Sequence, residues 1–212
     1  MCRFSIQFFA HTKSEKRRVT EYLTLFAGEW AKRRESDFSS ADKYRSGGMK
    51  IYQYNRESAV AYAHEWAYKR NPSYLDFSNM GGDCTNFISQ CLFNGCKTMN
   101  GKKITGWYYY NSYNRTASWT GVMYLYDFLT ENKGIGPFAK EVPVSEIQFG
   151  DIIQLSFDGV AFRHSLLVVE KGKVPSLNNI KIATHTFDRD YYPVQNYLSK
   201  KYRCLHIEGY RK

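Results

Sequence analysis

Up to about residue 132 the hydrophobic positions of this 212-residue chain recur every three or four residues; beyond Pro143 they come as short runs. Val19, Tyr22, Leu23, Phe26 and Trp30 share one face of a helix over 14–33, with Thr12 and Glu15 in capping-box order ahead of it. Serines, glycines and mixed charges over 35–50 read as a linker. Asn55 is placed to cap a second helix through Arg70, which Asn71-Pro72 ends. Cys84, Phe87, Ile88, Cys91 and Leu92 line one face of a third helix over 84–93, with Asn94-Gly95 as its stop. A fourth is expected over 119–132, capped by Ser118 and ended by Gly134. The apolar runs 152–157, 164–169, 180–186 and 202–207 then predict strands, punctuated by Gly150-Asp151, Asp158-Gly159 and Asn178-Asn179. Helices first and an antiparallel sheet afterwards is an α+β layout. It divides into an N-terminal helical extension and linker over 1–50 and a main domain over 51–212.

Composition narrows the class. Hydrophobic residues at 43% and charged residues at 24% are globular proportions. No apolar run approaches the roughly 18–20 residues of a membrane-spanning helix. The apolar opening, Met1 to Ala10, is too brief for a signal-peptide core before His11 and Lys13 interrupt it. The net charge of +10 is split between the two ends of the chain, which favours general attraction to polyanions over a specific nucleic-acid site. The five cysteines show neither a CxxC pair nor a repeated spacing, so no structural zinc site or disulfide framework is expected.

Cys84 departs from core filling. Gly81-Gly82-Asp83 leads into it, and the helical pattern puts it in a first turn, where unpaired backbone N–H groups favour thiolate and face a developing oxyanion. Cys91 and Cys96 fit the core. A thiol nucleophile needs a base. Of the five histidines, His11 lies in the extension, and His64 sits in a helical pattern where a packed, hydrogen-bonded ring is expected. His206 and Cys204 make half a metal site with no second half. His164 opens one strand run and His185 closes the next; a hairpin turning near Pro175 brings them to one sheet end, as a base and its orienting partner. Asp188 competes for the orienting role.

The run Gly82-Asp83-Cys84-Thr85-Asn86-Phe87-Ile88-Ser89-Gln90, then Phe149-Gly150-Asp151-Ile152-Ile153, then Arg163-His164-Ser165-Leu166-Leu167-Val168-Val169, resembles the putative amidase domain family, a relative of NlpC-type and CHAP-type papain-like hydrolases. The resemblance extends from about Tyr54 to Asp188 and leaves out the first fifty residues. It implies a papain-like (NlpC-type) α+β fold with Cys84 as nucleophile on a helix packed on an antiparallel sheet. It further implies His164 as base and His185 as third catalytic residue, with Asp188 as the rival. For an oxyanion donor beyond the backbone it offers only Asn79 and Tyr74.

The resemblance implies a cysteine-dependent amidase or peptidase working through a thioester, on a peptide or peptidoglycan-like substrate, without metal or organic cofactor. It also implies a secreted or wall-associated setting, with the basic charge attracting anionic wall polymers. The block Trp107-Tyr108-Tyr109-Tyr110, with Tyr113 and Trp119, is either a stacking groove for such a substrate or a partly buried loop. The rival from another class is a catalytically silent binding domain of the same fold. Nucleic-acid binding through the basic termini is a third, and predicts steep salt dependence.

Overall fold

A computed structural model describes residues 49–212. The helix expected over 14–33, the linker after it, Cys2 and His11 lie outside the described residues.

Helix α1 (Arg56–Trp66) starts where Asn55 predicts: the Asn55 side-chain oxygen accepts from the Ser58 N–H at 2.8 Å, satisfying one of the orphan donors of the first turn. Helix α2 (Cys84–Cys96) runs one turn beyond its expected stop and ends at Lys97, in left-handed conformation. Gly95 does not terminate it; Gly95 lets α1 approach. A Cβ there would stand 2.1 Å from the Tyr54 ring and 2.9 Å from the Asn55 carbonyl oxygen. The single helix expected over 119–132 is two, α3 (Ala117–Thr120) and α4 (Val122–Glu131), because Gly121 between them is extended.

Among the described residues one antiparallel sheet carries β1 (Ile51–Tyr52), β4 (Gly136–Val142), β5 (Ile152–Ser156), β6 (His164–Glu170), β7 (Lys181–Thr184), β8 (Arg189–Pro193) and β9 (Lys201–Arg211). A separate ribbon pairs β2 (Tyr109–Asn111) with β3 (Asn114–Arg115). The long β9 holds β4 along one edge and β5 and β1 along the other, and the order continues through β6 and β7 to β8. The β6–β7 hairpin pairs Leu167 with Ala183 and Val168 with Ile182, turning over 171–180 as expected.

The central strands are apolar on both faces, as strands covered from both sides must be. Ile152, Leu167, Ala183 and Leu205 face the helices, where they meet Phe87, Ile88, Leu92, Trp119 and Leu125. Ile153, Leu155, Leu166, Val168, Ile182 and Cys204 pack under the loops behind the sheet. Asp151, fully buried, ties α1 to this sheet. Its carboxylate accepts from Arg56 Nη1 at 2.6 Å, the Ile207 N–H at 3.0 Å, the Gln148 N–H at 2.8 Å and His206 Nδ1 at 2.8 Å. His206 is thus held by a carboxylate, and no cluster of metal-ligating side chains forms among the described residues.

Candidate functional site

Cys84 opens α2, as its spacing requires, and the loop before it is docked rather than free. Gly81 and Gly82 have φ of +102° and +113°, which only glycine adopts without strain. The Asp83 N–H donates to Thr186 Oγ1 at 2.9 Å, and a Cβ on Gly82 would press on that same oxygen at 3.1 Å. Thr186 and Phe187 are themselves left-handed, at φ of 63° and 65°. The turn that leads into Cys84 and the turn after β7 therefore fix each other.

The Cys84 sulfur lies within reach of the Ser165 backbone N–H, the peptide directly after His164, and of the Thr85 hydroxyl at 3.8 Å. Cys84 is only 6% exposed. Burial pushes its thiol up, against the downward pull of the Ser165 N–H and the Thr85 side chain and backbone. The expected shift toward thiolate at the helix start is therefore overturned in the resting protein: desolvation outweighs the local donors.

His164 is the first residue of β6 and is buried between the rings of Tyr197 and Phe157, with centroids 5.6 and 6.3 Å away. Desolvation lowers it to about 4, so its imidazole is neutral at pH 7. Tyr197 also feels the charge of Cys84, and burial pushes its phenol up to about 12. The Ser165 N–H that reaches the Cys84 sulfur thus directly follows His164 in β6, and Tyr197 lies against the His164 ring. Tyr197 carries no sequence signal; it stands in a short turn between β8 and β9.

His185 does not join them. Its Nδ1 faces Asp83 Oδ2 at 2.5 Å, its Nε2 donates to the Trp66 carbonyl at 2.9 Å, and its ring stacks on Phe87 at 4.0 Å. Both ring nitrogens are occupied, and neither contacts His164. Extending the hairpin register pairs His185 with Ser165, and paired residues share a face while neighbours along a strand do not. His185 therefore packs on the α2 side, and His164, one residue out of step with it at the first position of β6, does not share its partners. Asp188 receives Arg70 at 3.0 and 2.9 Å and is anchored to the loop that follows α1.

Of the two oxyanion candidates, Tyr74 stacks on Trp119 at 5.9 Å and packs, half-buried, against the core, and Asn79 is exposed on the loop before Gly81. The aromatic block is also mostly core. Trp107 and Trp119 are fully buried and stacked at 4.7 Å, with their indole N–H groups donating to Ser89 and Asn86. Only Tyr110 and Tyr113 are exposed.

The family model described as "putative amidase domain" matches residues 53–207. The chain belongs to that family. Membership in the putative amidase domain family points to amidase-type hydrolysis, and the matched span contains Cys84, His164 and His185. The uncharacterized protein YhbB of Bacillus subtilis (strain 168) is 35% identical over 147 residues, which are 67% of this chain and 46% of YhbB. The chain thus spans about half the length of that relative. No solved structure matches it.

Proposed function

We propose that this amidase-domain protein is a cysteine amidase or peptidase of papain-like, NlpC-type design, with Cys84 as nucleophile and His164 as base. The proposal is supported by the Ser165 N–H, which lies within reach of the helix-start thiol and directly follows the neutral His164 imidazole along β6. Cys84 Sγ attacks the amide carbonyl as its proton passes to a His164 ring nitrogen. The backbone N–H groups at the start of α2 face the oxyanion. His164 then gives that proton to the departing amine, which leaves a thioester on Cys84. Water attacks the thioester, losing a proton to His164, and the acid departs as the sulfur is reprotonated. His185 holds Asp83, one residue before the nucleophile, and so positions the helix start rather than the base.

The substrate class we favour is a peptide or peptidoglycan-like amide, and the net charge of +10 suits approach to anionic wall polymers. The test is release of free amine from purified peptidoglycan and from peptide amides. Wild type is expected to release it, and Cys84→Ser and His164→Ala to lose at least a hundredfold in rate. Full activity in Cys84→Ser would remove the thiol from the mechanism. One observation favours the silent binding domain: the thiol is 6% exposed. Binding of wall fragments with no amine released, by wild type and Cys84→Ser alike, would decide for it. The burial of Trp107, Tyr108, Tyr109 and Trp119 works against that alternative, because it takes away most of the ring-lined groove such binding would use.

A further inference from the structure

A file of polar side chains runs through the interior between α2 and the sheet, where packing alone calls for none. Arg203 Nε on β9 donates to Gln154 Oε1 on β5 at 2.8 Å. Gln154 Nε2 donates to Ser165 Oγ on β6 at 3.3 Å and to the Val122 carbonyl at 3.0 Å. Ser165 Oγ lies 3.2 Å from Thr85 Oγ1 on α2, which lies 3.8 Å from Cys84 Sγ. Gln154, Ser165 and Thr85 are fully buried and Arg203 is 7% exposed. The guanidinium sits between the rings of Tyr126 and Phe162, 3.4 and 4.1 Å from their centroids.

Chemistry fixes the direction at both ends of this file once the sulfur is a thiolate, which only accepts. Arginine only donates and a backbone carbonyl only accepts, so both neighbours of the Gln154 amide set the same orientation, oxygen toward Arg203 and NH2 toward Ser165. Ser165 Oγ accepts from Gln154 and keeps its single proton free to donate. A thiolate takes the single Thr85 proton, and Thr85 Oγ1 can then only accept from Ser165. With the sulfur charged, all four donors point toward Cys84, and each bond polarises the next.

We propose that Arg203, Gln154, Ser165 and Thr85 form a one-way donor chain that ends on Cys84 and supports the negative charge its sulfur carries during attack. This rests on the cysteine-amidase reading and deepens it. No proton travels along the chain; the thiol proton still goes to His164. Thr85 touches the reacting atom, and the other three are positioning residues acting through it. The remaining ionisable groups around the sulfur are Asp83 at the helix start, His185 bonded to Asp83, His164 on β6 and Tyr197 beyond β8. None of the substitutions below alters them.

The test is the pH profile of iodoacetamide alkylation at Cys84, read by peptide mass mapping, which needs no substrate. Thr85→Val is expected to raise the midpoint by about one pH unit, a tenfold loss of thiolate at any fixed pH below it. Thr85→Ser restores the hydroxyl and is expected to restore the wild-type profile. Ser165→Ala and Arg203→Met are expected to shift it the same way by smaller amounts, in that order. If Thr85→Val fails to melt cooperatively, Ser165→Ala and Arg203→Met decide. Unshifted midpoints in folded variants overturn the chain. A shifted midpoint in a protein that cleaves no amide keeps the chain and sinks the amidase proposal. Wild-type profiles in variants of an active amidase sink the chain alone.

Discussion

The burial of His164 has a cost that shows in stability against pH. The unfolded chain binds a proton at this side chain near pH 6.5, and the folded protein does not until about pH 4. Above pH 6.5 the imidazole is neutral in both states and contributes nothing. As the pH falls from there the unfolded chain gains a proton the folded one refuses, so stability is lost between pH 6.5 and 4. At 1.36 kcal/mol per unit the loss is about 2 kcal/mol at pH 5 and about 3 kcal/mol near pH 4. The side chain is only 5% exposed, so solvent screening takes little from this figure. Urea denaturation of wild type and His164→Gln at pH 7 and pH 5 isolates the effect, because every other titrating group is common to both. The variant is expected to lose about 2 kcal/mol less than wild type on going to pH 5. Parallel losses in the two proteins would refute the claim that His164 is held neutral by burial.

The same depressed imidazole predicts that the acid limb of kcat/KM for amide release falls below pH 5 rather than near 6.5, since a protonated His164 cannot take the thiol proton. Asp151→Ala, which strands Arg56 and His206 without their shared carboxylate, is expected to cost about 3–5 kcal/mol in urea melts. Gly95→Ala drives a methyl into the Tyr54 ring and is expected to cost at least about 2 kcal/mol, partly recovered by Tyr54→Leu. Trp119→Ala is expected to lose about 3–5 kcal/mol of stability as a core deletion, and a stable variant that merely loses substrate affinity would contradict its place in the core.

What was legible in the chain was local. The i, i+3, i+4 spacing from Cys84 located α2, Asn55 located the start of α1, and the apolar runs located β5, β6 and β7. Gly95 and Gly121 show how one residue type misleads in opposite ways: the first sits inside a helix to admit a neighbouring ring, and the second breaks one. Strand β4 has no strand signal of its own, since it opens with Gly136-Pro137 and carries Lys140-Glu141; its seven pairs with β9, some seventy residues away, hold it in place. Strand β8, which lies at the sheet edge, begins with Arg189-Asp190 and reads as a turn.

The histidine pair is the instructive case. The hairpin register follows from the spacing of the two runs, but position opposite a residue and orientation toward it are different quantities. His185 consequently serves Asp83 and α2 instead of His164. The donor chain to Cys84 has no sequence signature at all. Its members come from α2, β5, β6 and β9, and only the sheet order brings them into line.

The most direct test of the central claim, proton exchange between Cys84 and His164, is the rate of thiol alkylation at pH 7 in wild type and His164→Ala, mapped to individual cysteines. The account predicts labelling at Cys84 that slows at least tenfold in the variant, with Cys91, Cys96 and Cys204 inert in both. Equal rates at Cys84 in the two proteins would contradict it.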